Sequence, residues 1–153
     1  YFSVRKGQTL PKTELREPIL EDAFDDIGPL GGMLTAMSAY PQSPWLVVAC
    51  DLPFLTKSCL DYLWQNRDAD AIATAYKSSY DGLPEPLCAI YEPRALEKIK
   101  SFLTEENQRC PRKILMQTKP KLLEPIEPHA LDNVNTFEEY KQAVAELSGG
   151  NSG

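Results

Sequence analysis

From Trp45 to Cys50 the chain reads WLVVAC, a run without a charged or amide side chain, and the next residue is Asp51. A strand with one wet face alternates apolar and polar residues, so an unbroken apolar run predicts a strand covered on both faces. Strands of that kind occur in sheets flanked by helices, which makes an α/β architecture the expectation from this stretch alone. Asp51 then stands at the rim of the sheet. Two readings of it stay open: a turn former or helix cap, or a carboxylate held at a fixed place for a ligand. A cation such as Mg²⁺, which takes one or two carboxylates together with substrate phosphates, suits the second. Pro53 fixes the exit path from the strand in either case.

The rest of the chain alternates in the same way. YFSV (1–4), PIL (18–20), DAIATAY (70–76) and PLCAIYEP (86–93) read as strands, and KLLEPI (121–126) as a last edge strand. Between them GGMLTAMSAY (31–40), KSCLDYLWQN (57–66), RALEKIKSFL (94–103) and PRKILMQT (111–118) read as helices. Thr56 is a candidate cap for the second of these, with Leu60, Leu63 and Trp64 expected on one side. Pro111 suits the first position of the fourth. Thr136 and Glu139 have capping-box spacing at the head of a final helix. Strands alternating with helices imply one three-layer α/β domain over residues 1–147, a mostly parallel, Rossmann-like sheet with helices on both faces. Residues 148–153 (SGGNSG) read as a flexible tail. YFSV reads as a chain entering in mid-strand, with an expected segment upstream of it.

Composition narrows the function. With 153 residues the chain suffices for one buried core. A net charge of −6 argues against a nucleic-acid surface, which needs a basic face. No apolar run approaches the roughly 18 residues a bilayer demands, so neither a membrane span nor a signal peptide is expected, and the cytoplasm is the expected location. Cys50, Cys59, Cys88 and Cys110 form no CxxC pair and read as buried, reduced thiols. His129 is the sole histidine, which disfavours a histidine metal site or triad.

Two further segments stand at places where α/β sheets collect ligands. EDAFDDIGPLGGM (21–33) brings Gly28, Gly31 and Gly32 to the start of a helix, where backbone N–H groups favour an anion. A plain turn into a helix explains the glycines equally well. In DNVNTFEEY (132–140), Asn133 and Asn135 bracket a valine just before the capped helix. They are either ligand hydrogen-bonding groups or turn residues.

Taken in order, GPLGGM, ACDLPFL, LPEPLCAIY and NVNTFEEY resemble the MobA-like nucleotidyltransferases, and among these the molybdenum cofactor guanylyltransferases, which join GMP to molybdopterin. The resemblance extends from Tyr1 to about Leu147. It implies a nucleotidyltransferase-type fold, Mg²⁺ as cofactor, and GTP with molybdopterin or the molybdenum cofactor as substrates, CTP being the rival nucleotide. By position it implies that Asp51 is the catalytic residue that holds Mg²⁺ and the nucleotide phosphates. It also implies that Asp22, Arg5, Gly31 and Gly32 lie on the nucleotide side. Asn133 and Asn135 fall on the pterin side, and Arg109 and Arg112 border the phosphate of that second substrate. Family members open with a strand and a loop of the type LAGGxSxRMGxDK that cradles the triphosphate. The 153 residues lack that pattern, KGQTLPK (6–12) does not replace it, and YFSVR matches the family's second strand. A missing first strand and helix, inactivity of this chain by itself, and an N-terminal segment or partner that completes the fold are therefore expected. A catalytically incomplete binding or structural module is the contrasting class of function.

Overall fold

The computed structural model describes residues 1–8, 18–24 and 26–149, so that most of the stretch between YFSV and PIL, including residues 9–12 of KGQTLPK, lies outside them. Two short strands, β1 (Phe2–Val4) and β2 (Ile19–Glu21), pair in parallel with Phe2 opposite Ile19. Helix α1 (Pro29–Ala39) follows. The sequence predicts a helix opening at Gly31, but it opens two residues earlier, with Pro29 at its first position and Gly31 and Gly32 buried inside its first turn. Gly28 precedes it at φ 58°, ψ −144°, a conformation that needs the absence of a Cβ.

A second sheet holds β3 (Trp45–Val48), β4 (Ala73–Lys77), β5 (Pro84–Tyr91) and β6 (Lys121–Leu123) in the order β3-β5-β4-β6. β6 is an edge strand, as its sequence suggests, and pairs in parallel with β4. β5 runs antiparallel to both of its neighbours. The mostly parallel expectation is thus met at β1–β2 and β4–β6 and fails around β5. The reason is local: only residues 78–83 join β4 to β5, too few for a crossover helix, and Gly82 at φ +68° reverses the chain.

Side-chain alternation on β4 and β5 builds a core on each face. Ala73, Ala75, Ala89 and Tyr91 point to one side, against Leu30, Leu34 and Met37 of α1 and residues of α3 (Ala95–Glu105) and α4 (Pro111–Thr118). Tyr76, Cys88 and Ile90 point to the other, against Cys59 and Leu63 of α2 (Lys57–Gln65). Helices on both faces of the sheet make the expected three layers. Thr56 caps α2 by accepting the Cys59 N–H at 3.3 Å. Trp64 lies off the buried side of that helix, 54% exposed with the Arg67 guanidinium over its ring, whereas Leu63 is fully buried. Arg67 grips Glu92, buried at the end of β5, through two bonds of 2.6 and 2.7 Å, which satisfies an otherwise costly buried charge.

Three other expectations are corrected. β3 is covered on one face only among the described residues: Trp45 and Val47 are half-buried, while Leu46 and Val48 are 40% and 43% exposed. Cys59 and Cys88 are buried thiols, but Cys50 and Cys110 are exposed, because one sits past a strand end and the other at a helix boundary. Helix α5 (Phe137–Gly149) takes in Ser148 and Gly149 of the expected tail, and residues 150–153 lie outside the described residues.

Candidate active site

The ends of β3 and β4, the start of β5, α4 and the segment 131–133 surround a cavity of about 350 Å³. Asp51 lines it, three residues past the strand that the apolar run forms. Its carbonyl accepts the Val134 N–H at 2.9 Å, which ties the asparagine segment to it. Asp132, on the other side of Asn133, accepts the Tyr80 hydroxyl proton at 2.9 Å and pairs with His129 Nδ1 at 2.8 Å. Asn133 is therefore held between two anchors and lines the cavity with Asp51. Asn135 is not among the lining residues; its N–H donates to Glu139 Oε2 at 2.7 Å, so its main chain belongs to the cap of α5.

Arg112, from the first turn of α4, also faces the cavity. Its Nη2 donates to Glu85 Oε1 at 2.7 Å and its Nη1 to Asp81 Oδ2 at 3.2 Å. Arg109 goes elsewhere: it donates to the Asp26 carbonyl at 3.4 Å and to Asn107 Oδ1 at 3.3 Å, beside the loop before α1. The two arginines that the sequence groups together are parted by the start of the helix between them. Cys88 lines the same cavity, and burial, with Cys59 and Glu85 nearby, pushes its thiol up to about 12. A thiol held protonated in this way is no nucleophile at neutral pH.

Asp22, Gly31 and Gly32 form a second group. Asp22 follows β2, its N–H donating to the Val4 carbonyl at 2.8 Å and its Oδ1 accepting the Ser3 hydroxyl at 2.6 Å. A Cβ on Gly32 would stand 2.0 Å from Ser3 Oγ and 3.1 Å from Asp22 Oδ1; one on Gly31 would stand 2.8 Å from the Phe24 carbonyl oxygen. The glycines thus let α1 press against the Asp22 carboxylate and β1. Arg5 follows β1 at the same end of the pair, exposed, its N–H on Gln8 Oε1 at 3.1 Å. Ser3 and Tyr80 carry no mark in the sequence as site residues. Asp81 had one available signal: Asp-Gly between two strand-like runs is a hairpin turn, and turns at strand ends line such cavities.

Among the described residues no three His, Cys, Asp or Glu side chains come together as a metal cage. Mg²⁺ does not require one, since substrate phosphates and water complete its shell. Asp51 fits that role: it is half-buried, lines the cavity and has no ion-pair partner among the described residues, whereas Asp81 and Glu85 are engaged by Arg112. No helix among the described residues is long and apolar enough to cross a membrane.

Residues 3–122 match the family model of the MobA-like NTP transferase domain. The chain belongs to this family. A molybdenum cofactor biosynthesis bifunctional protein of Synechocystis is 35% identical over 144 residues, covering 93% of this chain and 41% of that protein. A probable molybdenum cofactor guanylyltransferase of Bacillus cereus is 33% identical over 140 residues, covering 86% of this chain and 67% of its own length. The chain thus spans from less than half to about two thirds of these curated relatives. Among solved structures, molybdopterin-guanine dinucleotide biosynthesis protein A from Archaeoglobus fulgidus aligns with a TM-score of 0.69 at 22% identity, covering 86% of this chain and 68% of the other. A protein of Aquifex aeolicus aligns with a TM-score of 0.66 at 22% identity, covering 78% and 62%. These two likenesses show a shared fold.

Proposed function

We propose that the protein to which this chain belongs transfers GMP from GTP to the terminal phosphate of molybdopterin, with Mg²⁺ bound at Asp51. The observation that carries the reading is the convergence of Asp51, Asn133 and Arg112 on one cavity at the carboxyl ends of β3 and β4, in a chain of this family. Ligands of open α/β sheets collect at such strand ends. In the transfer an oxygen of the acceptor phosphate bonds to the α-phosphorus, the bond from that phosphorus to the bridging oxygen breaks, and pyrophosphate leaves. Mg²⁺, when bound, neutralises phosphate charge. The half-buried Asp51 is the carboxylate that would hold it. Arg112 offers planar N–H donors to the acceptor's phosphate. Asn133 can both give and accept a hydrogen bond to the pterin. Asp22 keeps an oxygen beyond the one bonded to Ser3 for the nucleotide side. Positioning and charge neutralisation of this kind are sufficient for such a transfer. The reading places the reaction in the cytoplasm, where free thiols such as Cys50 and Cys110 persist.

The test is Asp51→Ala in the full-length enzyme, following label from α-labelled GTP, and in parallel from CTP, into molybdopterin. Loss of at least about 100-fold in turnover with an unchanged circular dichroism spectrum is expected. Undiminished turnover removes the metal role of Asp51. Transfer from CTP in place of GTP reassigns the nucleotide.

A further inference from the structure

We infer that Asp81 occupies the anion-receiving side of Arg112, as a built-in competitor to a phosphate, while Glu85 positions the guanidinium to receive that phosphate. The inference rests on the transferase reading only for naming the anion as a substrate phosphate. The two carboxylates hold Arg112 unequally. Glu85 stands on β5, its side chain 22% exposed, and takes Nη2 at 2.7 Å. Asp81 stands on the β4–β5 turn, its side chain 44% exposed, and takes Nη1 at 3.2 Å. Asp81 is also anchored independently of Arg112: its Oδ1 accepts the Leu83 N–H at 3.0 Å, an Asx turn within its own loop. The guanidinium fork matches a phosphate as well as it matches carboxylates, and Arg–phosphate pairs are bidentate and charge-assisted. Arg112 is the one cation among the described residues lining the cavity, against the carboxylates of Asp51, Asp81 and Glu85. An anion that enters must therefore compete with Asp81 for Nη1. Asp81 raises the threshold for weakly charged anions, and multiply charged phosphates pass it.

The probe is inorganic pyrophosphate, titrated calorimetrically without metal into the 153-residue chain and its variants, each checked for fold by circular dichroism. Asp81→Asn keeps the turn's acceptor and removes the competing charge, so it should bind about two- to fivefold more tightly. Glu85→Ala removes an equal charge but also the tether, and should show no gain. In the Asp81→Asn/Arg112→Ala double variant the gain should vanish. The inference is overturned if folded Asp81→Asn binds no better than the parent or not at all. It is equally overturned if Glu85→Ala gains as much, which would mark a general charge effect, or if the gain survives without Arg112. GMP transfer failing in the full-length enzyme while the Asp81 effect stands would remove the transferase reading alone; the converse would remove the competitor alone.

Discussion

Gly28 and Gly32 are glycines for different physical reasons, and a substitution series separates them. At Gly28 a Cβ meets nothing within 4 Å, so the penalty is conformational, set by φ 58°. Gly28→Ala should cost about 1–3 kcal/mol from backbone strain. At Gly32 the Cβ would lie 2.0 Å from Ser3 Oγ and 3.0 Å from Ser3 Cβ, so Gly32→Ala should cost about 1–3 kcal/mol from overpacking. Ser3→Gly removes both obstructing atoms and should recover most of the Gly32→Ala loss and none of the Gly28→Ala loss, read from urea midpoints. Equal recovery in both would overturn the distinction. The sequence marks this glycine cluster, because so many glycines before a helix are unusual. It does not show that Ser3, far off in the chain, fills the space beside one of them. Asp51 was legible for the opposite reason: the apolar run that positions it adjoins it. Arg109 and Arg112 misled because proximity in sequence is not proximity in space, and Pro111 opens a helix between them.

Elements whose signals are local were legible, and α5 provides the sharpest case. Thr136 Oγ1 accepts the Glu139 N–H at 3.2 Å, and Glu139 Oε2 accepts the N–H groups of Asn135 and Thr136 at 2.7 and 3.0 Å, the capping box that the spacing predicts. Those backbone donors hold the Glu139 carboxyl below the usual carboxylate range. A depressed pKa contributes stability that is full above the unfolded value, about 4.3, and is lost as pH falls through the folded value. Ala143 is the buried residue of this helix, while Phe137, Tyr140, Val144 and Leu147 are 64%, 53%, 43% and 52% exposed, so little packing compensates for a lost cap. The first turn of α5 should therefore fray as the pH is lowered below about 4.3, before α3 does, as followed by backbone amide chemical shifts. Glu139→Gln should fray it at neutral pH and flatten the dependence; an α5 indifferent to both would discard the cap as its anchor. Features that depend on distant partners were not legible. The exposed side of β3 hung on what packs against it, which apolar patterning does not reveal, whereas the direction of β5 had a local signal in the Asp81-Gly82 turn that apolar patterning alone passes over.

For the whole molecule, charge is the property that binding must overcome. The chain carries a net charge of −6, and the cavity lining repeats the imbalance with Asp51, Asp81 and Glu85 against Arg112. A nucleoside triphosphate is itself polyanionic, so without metal its approach is repelled over a screening distance of about 10 Å at 0.1 M salt and about 3 Å at 1 M. Metal-free GTP should therefore bind more tightly as sodium chloride is raised, the reverse of proteins that release counterions from a polyanion. With Mg²⁺ present the phosphates arrive partly neutralised, and in the proposed role Asp51 is a ligand in place of a repellent charge, so affinity should rise and its salt dependence flatten. Asp51→Asn should then have opposite effects in the two conditions, strengthening metal-free binding and weakening binding with Mg²⁺. Calorimetric titration of GTP at low and high salt, with chelator and with Mg²⁺, reads all four arms. If Asp51→Asn weakened both, the carboxylate would be acting on the protein's own fold and not on a bound cation. If it altered neither, the triphosphate would sit away from Asp51, and the charge balance of the cavity would have to be matched to the second substrate instead.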